Sequence, residues 1–220
     1  KIDSLGNVTT LAGSGTQDSG DGVGTSASFK FPRDVAVDSS GNVYVADTGN
    51  HLIRRIDSTG NVTTLAGSGT SGSVDGEGTA ASFNKPMGVA VDSSGYVYVA
   101  DRENHLIRKI DSLGNVTTLA GSGTSGSTDG QGTSASFNSP RGVAVDSSGN
   151  VYVAEFNSHL IRRIDSSGNV TTLAGSGSGG FADGDGTSAS FNSPRGVAVD
   201  SSGNVYVADY SNHLIRKLTG

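Results

Sequence analysis

Four histidines, His51, His105, His159 and His213, recur at a spacing of 54 residues. Imidazole changes charge near neutral pH and is a common metal ligand, so the first chemistry to weigh is a metal centre or a general base. Each histidine sits in the same short phrase. Asn50-His51-Leu52-Ile53-Arg54 returns at Asn104 to Arg108, at Ser158 to Arg162 and at Asn212 to Arg216. Equal spacing puts the four at equivalent places in four copies of one unit. Side chains distributed in this way do not converge on one ion, and the expected role of each is to fix the turn before it. The same logic removes a catalytic triad, because Ser and Asp also recur with the unit and no single constellation stands apart.

Carboxylates offer a second chemistry. Asp-Gly pairs recur at Asp21, Asp75 and Asp129, and the fourth copy reads Asp183-Gly184-Asp185-Gly186. Calcium takes roughly six to eight oxygen ligands, and Asp183 and Asp185 are the best candidates for it. Asp that caps a turn is the competing reading. The recurring Gly67-Ser68-Gly69 precedes no helix and no Lys, so it lacks the context of a phosphate-binding turn. Asn7, Asn61, Asn115 and Asn169 each open an Asn-Val-Thr glycosylation pattern, although hairpin geometry explains the Gly-Asn there equally well. Cysteine is absent, which excludes disulfides and thiolate chemistry. A net charge of -6 argues against nucleic acid as partner. No apolar run approaches the roughly 20 residues of a membrane helix. No cofactor is expected.

These residues have to be held by something, and the chain supplies it four times. Units cover 1–54, 55–108, 109–162 and 163–216, with Lys217 to Gly220 starting a fifth. The start at Lys1, part-way into a unit, has the phase of a fragment or a processed product. Each unit carries four short segments of strand character and none of helical period: Val35-Ala36-Val37, Val43 to Ala46, Leu52 to Ile56 and Val62 to Ala66. Asp38-Ser39-Ser40-Gly41-Asn42 and Asp57-Ser58-Thr59-Gly60-Asn61 join them as hairpins, with Gly at the position needing positive φ. Asp47-Thr48-Gly49-Asn50 makes the middle turn. The product is a four-stranded antiparallel meander with two apolar faces, which is not stable alone. Ala36, Ala46 and Ala66 leave room for a neighbouring sheet, and radial repetition of such sheets is a β-propeller. A solenoid of stacked hairpins is the alternative.

The phrases Pro32-Arg33-Asp34-Val35-Ala36-Val37-Asp38, Gly41 to Asp47 and Asn50 to Arg54, repeated in phase across the chain, resemble the NHL-repeat family of β-propellers. The resemblance implies an all-β fold of four-stranded blades forming a single domain over 1–220. The unit is longer than the family's usual repeat, the excess lying in the Gly/Ser/Asp-rich stretch after the fourth strand. The family also closes with about six blades rather than four, within a general range of roughly 4–8. Residues 1–12 and 196–218 together amount to one blade, so the termini are expected to share it, within one chain or between chains. A related amidating lyase uses channel histidines and metals, for which this sequence has no matching extra histidine. Relatives that bind RNA do so through a basic face, which Asp residues dilute here.

Comparison of the four units shows where variety is tolerated. It gathers in the connection between blades and in the middle turn, where Thr48, Arg102, Phe156 and Tyr210 replace one another. In an up-and-down blade these two loops emerge on the same face. Arg33, Arg141 and Arg195, with Met87 breaking the set, open the innermost strand; they would ring a channel mouth and hold an anionic group, or pair with loop Asp. Aromatic residues and Arg anchor binding interfaces. Loop tips also drift without function. The expectation is a non-enzymatic binding propeller for a protein or glycan, extracellular or at the cell surface. The alternatives are a self-assembling scaffold and, behind it, a metal-dependent lyase or lactonase.

Overall fold

A computed structural model describes residues 1–219; Gly220, one of the four residues read as the start of a fifth unit, lies outside the described residues. The fold is an all-β propeller of four blades. In the first, Pro32–Val37, Val43–Asp47, Leu52–Ile56 and Asn61–Ala66 pair antiparallel in sequence order, from innermost to outer. The register joins Val35 to Val45, Val45 to Arg54 and Ile56 to Val62. The second blade runs from Pro86–Val91 to Asn115–Ala120, and the third from Pro140–Val145 to Asn169–Ala174.

The hairpins form as their residues dictate. Asp38 Oδ1 accepts the N–H groups of Ser40 and Asn42, both at 2.9 Å, while Gly41 takes φ +82°. That turn pre-satisfies its own backbone and holds the strands in register.

The extra length of each unit has a structural use. Gly22–Val23 forms a short fifth strand that pairs with Val62 and Asn61, covering the outer edge of the first blade. Gly76–Glu77 and Gly130–Gln131 repeat this in the next two blades, so each of these sheets has five strands rather than four. The two edge positions covered in this way, Asn61 and Val62, offer no free ladder for another chain.

Between blades the apolar faces interlock. Ala46, Ile53 and Ala66 of the first blade pack with Phe83, Val99 and Ile110 of the second in one buried cluster. Small side chains permit close approach, and Gly142 shows how close: a Cβ there would lie 2.4 Å from the Arg195 carbonyl oxygen. The innermost strands therefore meet backbone to backbone.

The fourth blade has three strands, Gly196–Val199, Val205–Asp209 and Leu214–Leu218. Among the described residues the clasp expected from the termini is not made. Leu214–Leu218 pairs only with Val205–Asp209, and Ile2 and Val8 bridge only to each other. Ile215 is 77% exposed, whereas its equivalents Ile53, Ile107 and Ile161 are at 0%. Each blade interface fixes the turn to the next, and after four blades Val35 and Val37 on the first still face solvent.

Candidate binding surface

The repeated phrase is a structural hub. His51, His105, His159 and His213 all adopt the left-handed region, with φ between 56 and 58°. Each ends the middle turn. Nδ1 of His51, His105 and His159 accepts the backbone N–H of Lys85, Ser139 and Ser193, at 3.1, 3.1 and 2.9 Å. These three histidines thus lock the first three middle turns to the connection entering the next blade. Burial lowers the pKa of His51 and His105 and favours the neutral ring that this acceptor role requires.

Three residues on, the arginine is buried. Arg108 Nη1 donates to Asp101 Oδ2 and to the Ser82 carbonyl, both at 3.0 Å. Its Nη2 donates to Asp75 Oδ1 at 2.6 Å and to the Val74 carbonyl at 3.0 Å, and the guanidinium lies over Phe83, 5.2 Å from the ring centroid. Arg54, Arg162 and Arg216 repeat the arrangement with Asp21, Asp129 and Asp183. This corrects the calcium reading. Asp183 is the 2.6 Å ion-pair partner of Arg216, and Asp185 sits beside it with its carbonyl accepting the Ser188 N–H. Among the described residues no three acidic or histidine side chains gather as a metal site. The side-chain amides of Asn7 and Asn115 are likewise occupied, each donating to the Asp four residues before it at 2.8 Å.

The middle-turn residues separate into two groups. Thr48 is buried at 7% and donates its hydroxyl to the Pro86 carbonyl of the next blade, so it presents nothing to a ligand. Arg102 pairs with Glu103 at 3.0 Å. Phe156 and Tyr210 do meet the other variable column. Arg141 lies 5.1 Å from the Phe156 centroid, Arg195 lies 5.5 Å from Phe156, and Arg195 stacks 3.1 Å over Tyr210. The result is an alternating ladder, Arg141–Phe156–Arg195–Tyr210, across the third and fourth blades.

The ladder borders a cavity of about 310 Å³ at the channel mouth, lined by Arg33, Asp34, Met87, Arg141 and Arg195 above apolar Val143 and Val197. The ion pairs among the described residues take in Arg54, Arg102, Arg108, Arg162 and Arg216 but not Arg33, Arg141 or Arg195. The Arg195 Nε is buried without a hydrogen-bond partner. Burial and the charges of Arg195, Arg102 and Arg33 bring the Arg141 pKa down to about 10. Asp34, which takes the place of the glycine in the other blades, is turned away to the backbone. Its Oδ2 accepts the Val89 N–H at 3.0 Å, and burial raises its pKa. The sequence singled out the arginines but not Asp34 or the apolar floor. The break in the glycine column at position 34 was the available signal.

Fold and blade pattern define a β-propeller built from tandem repeats. The NHL repeat family matches residues 29–56, 83–110, 137–164 and 191–218, and the chain belongs to it. It is 48% identical over 98 residues to NHL repeat-containing protein 2 of Gallus gallus, a match covering 44% of this chain and 13% of that protein. It is 36% identical over 90 residues to a probable peptidyl-alpha-hydroxyglycine alpha-amidating lyase of Caenorhabditis elegans, covering 40% of this chain and 25% of the lyase. Among solved structures it superimposes on a Bacteroides thetaiotaomicron protein of unknown function with TM-score 0.71 and 28% identity, covering 84% of this chain and 46% of that one. The chain thus spans less than half the length of these relatives.

Proposed function

We propose that this chain is a non-enzymatic binding module that recognises a protein or glycan through the face carrying the inter-blade connections and middle turns. The observation that supports this reading is the Arg141–Phe156–Arg195–Tyr210 ladder beside a cavity at the channel mouth. It gathers aromatic groups from the middle turns and guanidinium groups from the connections between blades, the two regions where the units differ, and these are the residue types that anchor interfaces. The lyase reading has less support in these residues, because three of the four histidines have Nδ1 committed to the next blade. The test compares wild type with Phe156→Ala and Tyr210→Ala on a glycan array and in capture of candidate protein ligands, with circular dichroism to verify the fold. Weakened binding with an unchanged spectrum supports the reading; binding equal to wild type for both variants overturns it.

A second reading, self-assembly, rests on the uncovered edge of Leu214–Leu218. Asn7 to Ala12 repeats Asn61 to Ala66 residue for residue, so it has the sequence of a strand that fits this edge. Strand exchange between chains gives a ring or an open filament depending on closure. Sedimentation over a wide concentration range tests it, and a strictly monomeric profile removes it.

A further inference from the structure

The mouth holds more positive charge than its own protein neutralises. Arg33, Arg141 and Arg195 line one cavity without a carboxylate partner, whereas Arg54, Arg108, Arg162 and Arg216 are each held by carboxylates. Asp34, the acidic group lining the cavity, spends an oxygen on the Val89 N–H. Like charges held together without a counterion are destabilising, and a protein keeps them where an anion supplies the balance.

The ladder adds geometry to charge. Contact with Phe156 and Tyr210 restrains the guanidinium groups of Arg141 and Arg195 before a ligand arrives. Restraint of this kind cuts the ordering cost of binding. The size of the cavity then limits the ligand. At about 310 Å³ it stands at the small end of ligand pockets, roomy enough for one or two sugar rings. Its floor of Val143 and Val197 suits the C–H face of a pyranose.

From these observations we infer that the channel mouth binds an acidic saccharide, with the carboxylate or sulfate held between Arg141 and Arg195 and the ring over Val143 and Val197. The inference rests on the binding reading above and names its ligand class.

Calorimetric titration of the full chain with four probes tests it: a uronic-acid disaccharide, a sulfated disaccharide, the matching neutral disaccharide and inorganic sulfate. A fifth arm uses an acidic peptide. The expected result is saturable binding of one or both acidic disaccharides, at least tenfold tighter than the neutral sugar and weakening with salt. The two acidic disaccharides separate the carboxylate from the sulfate source. Arg141→Gln and Arg195→Gln should each lower that affinity at least tenfold with a circular dichroism spectrum equal to wild type, since neither guanidinium has a hydrogen-bond acceptor in the fold. Arg55→Gln, at an exposed arginine that donates to Asn42, should leave affinity as it was.

Equal affinity for neutral and acidic sugars overturns the inference and leaves the binding module standing. So does binding of the acidic peptide alone. Response to inorganic sulfate without either disaccharide would mean an adventitious ion only, and would likewise overturn it. If no probe binds and Phe156→Ala changes no array or capture signal, both readings fall together.

Discussion

Ser158 donates its hydroxyl to Glu155, and this pair does in the third blade what Asn and Asp do in the others. Asn50 donates to Asp47, Asn104 to Asp101 and Asn212 to Asp209, at 2.7 to 2.8 Å. The longer carboxylate is matched by the shorter donor, so the buried carboxylate still reaches Arg162 and still accepts the Asn138 N–H at 2.8 Å. Two of the variable middle-turn positions therefore vary together, for an internal reason.

Glu155→Asp and Ser158→Asn should each destabilise the fold, by about 1–3 kcal/mol, because each leaves a buried polar group short of its partner or too crowded. The double variant restores the arrangement of the other blades and should recover most of the loss. A double-mutant cycle in urea measures this; strictly additive losses would show that the two positions are independent.

Arg108→Ala should cost about 3–5 kcal/mol, because it strands the fully buried Asp101 carboxylate and two carbonyls. Arg55→Ala, on the opposite side of the equivalent strand in the first blade and exposed, should cost less than ~1 kcal/mol. Chemical denaturation of the two variants checks the contrast.

Acid should weaken the fold through the histidine locks. Burial lowers the pKa of His105 in the folded protein, so below the unfolded value near 6.5 the unfolded chain binds more protons. Stability from this group is therefore present above pH ~6.5 and is lost as pH falls from there through the lower folded pKa. His105→Asn keeps a residue tolerant of the left-handed region but removes the titration. The drop in thermal midpoint between pH 7.5 and 5.5 should be smaller in this variant than in wild type; an equal drop would place the sensitivity elsewhere.

Gly142→Ala introduces a Cβ 2.4 Å from the Arg195 carbonyl oxygen and must push two innermost strands apart. A loss of about 1–3 kcal/mol is expected, typical of overpacking. A thermal midpoint equal to wild type would mean that the strands have room to separate.

The period, the hairpins and the order of the four main strands in the first three blades were legible in the sequence, since each rests on local turn chemistry and strand alternation. The hub at Arg54 was not. Alternation within Leu52 to Ile56 gives the face on which it lies, yet its partner Asp21 comes from a loop 33 residues earlier. A single Asp-Gly in such a loop reads equally as a cap or a ligand. That ambiguity explains Asp183 as well. Thr48 was misplaced for a related reason: variation at a loop tip suggested exposure, whereas it reflects the particular connection that the next blade brings against it. The Arg–aromatic ladder needed only the knowledge that two variable columns share a face, and so its members were legible although their stacking was not.

The short strand Gly22–Val23 precedes the blade whose outer edge it covers, so one uninterrupted stretch, from that strand to Ala66, builds a complete sheet. The segment that is inherited as a copy is thereby also the segment that folds as a layer. A duplication or deletion in this phase adds or removes a whole blade and leaves no half-made sheet behind. The near-identity of the units is what such copying leaves in a lineage, and the number of blades becomes a quantity that recombination can change in single steps.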